Sequence, residues 1–174
     1  ATKYGINEVS LINNQVIPNT QNWIEKFNNV EVYDIEVQLD FFYIASSIGL
    51  FEIDNNISTI KKLSGKVFDK IQKIDKKIWG ANNSLWLINY DGREKKVKNS
   101  VSHFYVHDKF LWTTNGKSLT LMDLTSEQEW DIDLGKDMKG LSIYSLSCDN
   151  EWLWLLTNNG IYFYNWTRYN YVQN

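Results

Sequence analysis

From Val30 to the C-terminus the sequence runs four times through one layout: an apolar segment, an aspartate, an aromatic segment, a small polar break, and a third segment closed by Asp or Asn. The fourth copy is the clearest, Asp149-Asn-Glu-Trp-Leu-Trp-Leu-Leu-Thr-Asn-Asn-Gly-Ile-Tyr-Phe-Tyr-Asn165. The aspartates are Asp40, Asp75, Asp108 and Asp149, spaced 35, 33 and 41 residues apart. An aromatic residue follows each, at Tyr43, Trp79, Trp112 and Trp154. The third segments open at Gly49, Ser84, Ser118 and Gly160 and close at Asp54, Asn89, Asp123 and Asn165, the closing residues lying 35, 34 and 42 apart. Three markers that drift in step identify a true repeat. A unit this short cannot bury its own apolar face, so neighbouring copies must cover it.

The residue types decide what each unit is made of. Aromatic and β-branched enrichment with alternating polarity predicts strands, and breaks such as Asn158-Asn159-Gly160 predict hairpin turns. Asp and Asn side chains accept nearby backbone N–H groups where strands reverse, and a small residue opening the third strand tolerates the dihedrals a tight turn demands. Three apolar strands and a more variable fourth per unit, at this period, predict an all-β fold, a β-propeller of about four four-stranded antiparallel blades. The blades are expected at about 30–64, 65–99, 100–139 and 140–174. Helical repeats of similar length are excluded by the alternation; Lys61 to Asp75, the nearest to a helical pattern, reads as a turn plus a strand because of Gly65. The large aromatics are expected to fill the wedges between blades, each contributing roughly 1.5–3 kcal/mol when buried.

Residues 1–29 fit the repeat in part. Thr2-Lys3-Tyr4-Gly5-Ile6 parallels Thr157-Asn158-Asn159-Gly160-Ile161, and Gln21-Asn22-Trp23-Ile24-Glu25 parallels Gln128-Glu129-Trp130-Asp131-Ile132, as the outer half of a blade would. Pro18, the one proline, marks a turn or an edge because it cannot donate to a central ladder. Four blades and a half exceed a four-bladed ring and fall short of a larger one. Either residues 1–27 close a small ring, or another chain completes a larger one; the second is favoured, since an open arc leaves apolar faces bare.

Composition removes several functions. Hydrophobic residues at 43% and charged residues at 22% are ordinary globular values, and 15% aromatic content suits β structure. A net charge of −3 with no basic stripe argues against nucleic acid as a partner. The lysines from Lys61-Lys62 to Lys95-Lys96, with Lys70, Lys73, Lys76 and Lys77 between, read as a solvated rim. Cys148 is the one cysteine, so no intrachain disulfide forms, and its place in an apolar strand predicts a buried, inert thiol. No run of eighteen apolar residues is present to span a membrane, and no signal sequence heads the chain.

The stretch Leu146-Ser-Cys-Asp149-Asn-Glu-Trp-Leu-Trp154-Leu-Leu-Thr157-Asn-Asn-Gly160-Ile-Tyr-Phe resembles the two-component-regulator type of propeller repeat: aliphatic strand, Asp turn, Leu-Trp, Thr-x-x-Gly, then Leu or Ile with an aromatic. Asp108-Lys-Phe-Leu111-Trp112-Thr-Thr-Asn-Gly116 and Asp40-Phe-Phe-Tyr43-Ile-Ala-Ser-Ser-Ile-Gly49-Leu50-Phe51 are similar, and the unit from Asp75 departs by carrying Ser84 where the family prefers Gly. The resemblance covers residues 30–172. It implies an extracytoplasmic bacterial propeller, in the periplasm or at the cell surface, as in glycan-detecting sensor ectodomains and surface proteins of type IX secretion. It carries over no catalytic residue and no cofactor. WD40 repeats match less well, because Trp130-Asp131 recurs in no other unit.

Candidate chemistry is sparse. His103 and His107 lie four apart and so share one strand face, but a zinc site would need further ligands. Asp131-Ile-Asp133-Leu-Gly-Lys-Asp137 imitates a calcium loop, with glycine one place early and Ser142 where a bidentate Glu belongs. Neither is assigned as a metal site. Asp34 and Glu36 on a first strand are the carboxylates that would line a central channel, and Asn56, Asn82 and Asn165 head glycosylation triplets. The reading is a non-catalytic module that binds or scaffolds, with a protein partner or another propeller chain and a glycan as the alternative ligand. The candidate contacts are the aromatics Trp130, Trp166, Tyr169 and Tyr171. The competing function is a polysaccharide-active enzyme, or a fragment of one, using the channel carboxylates.

Overall fold

The computed structural model describes residues 23–168 together with Gly5, Ile6, Glu8, Val9, Ile12, Val16 and Ile17. All regular structure is β apart from three single-turn 3₁₀ segments among these residues. Strands β1 (Glu8–Val9) and β2 (Val16–Ile17) pair antiparallel. A first four-stranded sheet follows, β3 (Val32–Gln38), β4 (Phe41–Ser46), β5 (Gly49–Asp54) and β6 (Thr59–Ser64). The second contains β7 (Lys70–Ile74), β8 (Lys77–Ala81), β9 (Ser84–Asn89) and β10 (Glu94–Asn99). The third is β11 (His103–His107), β12 (Phe110–Thr114), β13 (Leu119–Asp123) and β14 (Glu129–Ile132). The last has three strands among the described residues, β15 (Ile143–Cys148), β16 (Trp152–Thr157) and β17 (Gly160–Asn165). Each is an up-and-down meander in which strands consecutive in sequence are neighbours. The residues on which a fourth strand of the last sheet would fall, 169–174, lie outside the described part.

The repeat markers prove to be turn chemistry. Two-residue loops join β3 to β4, β7 to β8 and β11 to β12, and each opens on a residue in the left-handed region: Leu39 (φ 53°), Asp75 (φ 49°) and Asp108 (φ 53°). In the first unit the aspartate is therefore the second loop residue, one place later than its counterparts. Asp149 works through its side chain, Oδ1 accepting the backbone N–H groups of Glu151 (2.9 Å) and Trp152 (2.7 Å). The Thr-x-x-Gly pattern has an equally local cause. Thr157 Oγ1 donates to the carbonyl of Gly160 at 3.0 Å, and Ser46 Oγ donates to that of Gly49 at 2.9 Å. Gly49 is forced twice over, by φ of 122° and by the Ser64 carbonyl oxygen, which a Cβ would meet at 2.4 Å. Ser84 is tolerated in the second unit because the left-handed residue there is the preceding Asn83 (φ 52°).

The chain divides into two compact units, Ala1–Asn82 with Trp86–Lys95, and Asn83–Leu85 with Lys96–Asn174. In the first unit β3 lies against β7, and two apolar clusters sandwich β4. Ile44 faces Trp23, Ile24 and Phe27, while Tyr43 and Ala45 face Phe68, Ile71 and Ile88. The segment Trp23–Glu25, expected as an outer strand, is instead the start of a 3₁₀ turn over Ile24–Phe27. Its apolar residues are spaced so that one turn presents Trp23, Ile24 and Phe27 together to the first sheet. In the second unit β11 lies against β15, and one core gathers Phe110, Trp112, Leu119, Leu121, Leu153, Leu155 and Trp166.

Candidate interaction surface and a buried lysine

In β16 apolar residues occupy both faces, an unusual pattern for an antiparallel sheet, which ordinarily shows one polar face to water. Leu153 and Leu155 point into the second unit's core, and Trp152, Trp154 and Leu156 point out. Strand β17 extends that outer face: the register places Phe163 opposite Trp154 and Ile161 opposite Leu156. Trp154 is 42% exposed and Phe163 56%, their rings meeting edge to face with centroids 4.4 Å apart. The expectation that all four repeat aromatics are buried between sheets fails here. Tyr43, Trp79 and Trp112 are buried, but nothing among the described residues covers Trp154.

The predicted contact aromatics are placed differently. Trp166, in the 3₁₀ turn Trp166–Arg168, is only 7% exposed; its ring packs edge-on against Phe110 and Trp112, and its indole N–H donates to the Asp149 carbonyl at 3.2 Å. It is a core residue, buried because a turn folds it back over β12, and so is corrected as a contact. Trp130 is half-buried against the same cluster. Tyr169 and Tyr171 lie outside the described residues.

The polar candidates are engaged locally. Asp34 Oδ2 accepts the Ile71 N–H at 2.8 Å and pairs with Lys70 at 3.2 Å, a strut between β3 and β7. Glu36 is partly buried, and that burial raises its carboxyl above the ordinary value against the pull of Lys70. His107 Nε2 meets Asn150 Oδ1 at 2.9 Å, and the Asp133 carboxylate accepts the Gly135 N–H at 2.9 Å. No group of three or more metal-ligating side chains gathers among the described residues. Cys148 is buried as expected; burial first, and then the Asp149 charge, push its thiol up to about 12.

One lysine departs from the solvated rim. Lys73 is 5% exposed, its Nζ lying 5.6 Å from the ring centre of Tyr43 and 5.3 Å from that of Tyr90. The two phenol oxygens are 2.7 Å apart. Behind them is Glu52, itself buried, with Oε2 lacking a hydrogen-bond partner. No ion pair or hydrogen bond reaches Lys73 Nζ among the described residues; burial lowers its pKa, opposed by Asp75 and Glu52, and the same desolvation raises both phenols. A cavity of about 450 Å³, open to solvent, adjoins the amine, with Leu39 and Phe41 on its apolar side and Asp75 and Lys76 at its rim. The signal was present in the sequence: β7 alternates, and Lys73 falls on the same side as Ile71, the core side.

No protein-family model matches the sequence, and no curated protein matches it. Solved structures do share the fold. The extracellular domain of the putative hybrid two component system BT4673 from B. thetaiotaomicron superposes with a TM-score of 0.71 at 18% identity, over 95% of this chain and 26% of that one. The N-terminal domain of Nup159 does so at 0.66 and 13% identity, covering 90% of this chain and 48% of that one. PorZ, a bacterial surface component of the type-IX secretion system of Porphyromonas gingivalis, does so at 0.59 and 10% identity, covering 94% and 22%. The chain thus spans about a quarter (26%) of the BT4673 ectodomain. Identities this low speak for the fold alone.

Proposed function

We propose that this chain is a non-catalytic segment of a β-propeller, with blades at about 30–64, 65–99, 100–139 and 140–174, in an extracytoplasmic bacterial assembly. Its outer β16–β17 face is the docking surface for a sheet of another propeller chain. The carrying observation is the contrast between equivalent strands. In β4 both faces are covered, one by the Trp23–Phe27 turn and the other by Phe68 and Ile71, whereas β16 has the same two-sided apolar composition and one face that no described residue covers. A contiguous patch of two tryptophans, Leu, Ile and Phe exceeds scattered surface hydrophobes. Adjacent first strands, β3 with β7 and β11 with β15, support the radial arrangement of blades. The extracellular sensor domain and the secretion-system surface component among the fold's other members support the location and the non-catalytic role.

The test is the solution mass of the 174-residue chain by light scattering coupled to size exclusion. Without its partner sheet, the face is expected to pair with itself, so the mass rises with concentration; Trp154→Lys combined with Phe163→Lys restores a monomer with unchanged circular dichroism. A wild-type chain that stays monomeric throughout the micromolar range, or a double variant that still associates, rejects the docking face.

A further inference from the structure

The geometry points to a second, independent site in the first unit: we infer that the Lys73 cavity binds a small monocarboxylate with an apolar or aromatic body. A buried ammonium normally meets a carboxylate or several carbonyl oxygens, because desolvating a charge without replacing its hydrogen bonds is costly. Lys73 has neither. The two tyrosine rings at 5.6 and 5.3 Å supply cation–π attraction and hold the amine in place, yet leave its three N–H donors unused. Those donors open on the cavity side, where water or an oxygen of a ligand reaches them. The tyrosines cannot swing to help, since their hydroxyls are committed to each other at 2.7 Å and Tyr90 is further fixed by Lys61, whose Nζ donates to the Tyr90 carbonyl at 2.7 Å.

The charge count and the walls set the ligand class. At the rim Asp75 and Lys76 carry opposite charges, Asp75 and Glu52 act on the Lys73 charge without an ion pair to it, and Lys61 donates to the Tyr90 carbonyl. One ammonium without a direct ion pair therefore faces the cavity, a match for one carboxylate, whereas a phosphate recruits several converging donors. Leu39 and Phe41 form an apolar surface on which the body of the ligand would pack, and about 450 Å³ accommodates a molecule the size of benzoate with room beyond it. Sites of this kind, apolar walls with one placed polar group, bind by burying the body and orienting the head.

Benzoate is the probe, with neutral benzamide and inorganic phosphate as comparators, titrated calorimetrically into the folded 174-residue chain. Benzoate is expected to bind about tenfold or more tighter than benzamide, and phosphate more weakly than benzoate. Lys73→Met should abolish the preference for benzoate, while Lys76→Met should change affinity by no more than about threefold. A variant-free measurement accompanies this: benzoate should protect Lys73 from reductive methylation, read by peptide mass spectrometry, and leave Lys76 unprotected. Equal binding of benzoate and benzamide, phosphate binding as tightly as benzoate, or unchanged labelling of Lys73 under saturating benzoate each overturns the inference.

Discussion

Trp112 and Trp154 occupy the same place in consecutive repeats and lie in the same compact unit, so their replacement by alanine compares two environments against one unfolding transition. Trp112 is 0% exposed, enclosed by the core that includes Trp166 and Leu121. Its loss removes a full indole and leaves a cavity in packed surroundings, for a cost of about 3–5 kcal/mol. Trp154 meets Phe163 edge to face at 4.4 Å, hydrogen-bonds the Asp149 carboxylate and is 42% exposed. What Trp154→Ala removes is that ring pair, about 0.5–1.5 kcal/mol, and the indole hydrogen bond to Asp149, about 0.5–1.5 kcal/mol. The difference, roughly 2 kcal/mol, is a sizeable part of the 5–15 kcal/mol expected for a domain and is resolved by urea titration. Circular dichroism in the strand region is the suitable probe, since both substitutions alter tryptophan fluorescence. Equal losses would mean that Trp154 is covered within this chain, and the docking face would have to be abandoned. If the difference appears, it should shrink when a partner sheet is bound, because Trp154 then becomes a core residue as Trp112 is.

Four further expectations follow from particular contacts. Gly49→Ala should destabilise more than Gly160→Ala in urea: both need φ near 120°, costing about 1–3 kcal/mol, but only Gly49 also meets backbone, at 2.4 Å, while Gly160 opens on empty space. Asp34→Ala strips the Ile71 N–H of its acceptor, for about 1–3 kcal/mol, and should speed amide exchange at Ile71; unaltered exchange would show that the strut is dispensable. Cys148 should remain unreactive toward a disulfide reagent at pH 8 until urea unfolds the second unit, because burial holds its thiol near 12; prompt labelling of the folded chain would contradict its enclosure. Asp123 and Asp149 are both held below the ordinary carboxylate value, chiefly by backbone N–H groups of Thr125 and Ser126 and of Glu151 and Trp152. In acid the unfolded chain protonates first, so their stabilisation is complete above pH about 4 and is lost as pH falls through the lower folded-state values; Asp123→Asn should flatten that acid limb of a stability-against-pH curve, and an unchanged limb argues against the linkage.

The repeat was legible because its markers are local. Asp149 bonding to the N–H groups two and three residues on, Thr157 donating to Gly160, and Asn83 taking the left-handed place beside Ser84 are all contacts within a few residues, which sequence spacing records directly. Strand positions followed for the same reason, since alternation is a property of neighbours in sequence. The Trp23–Glu25 segment was misread because its likeness to Gln128–Ile132 was one of residue types; a strand needs a partner edge, and those residues meet a sheet face instead.

What lies across the fold was hidden. The composition of β16 announces a strand apolar on both sides, but that one face is covered and the other bare depends on which sheets stand beside it, and sequence does not carry that. Trp166 looks like a surface aromatic until a turn folds it onto Trp112. Lys73 belonged by composition to a basic rim, and only the packing of β3 and β4 on β7 encloses its amine between tyrosines 30 residues before it and 17 after it in the chain. The repeat, its strands and its turns follow from residue order, because they rest on short-range hydrogen bonds and the two-residue period. Which apolar faces are covered and which amine is enclosed between rings is set by packing across the fold, because burial is a property of what surrounds a residue in space.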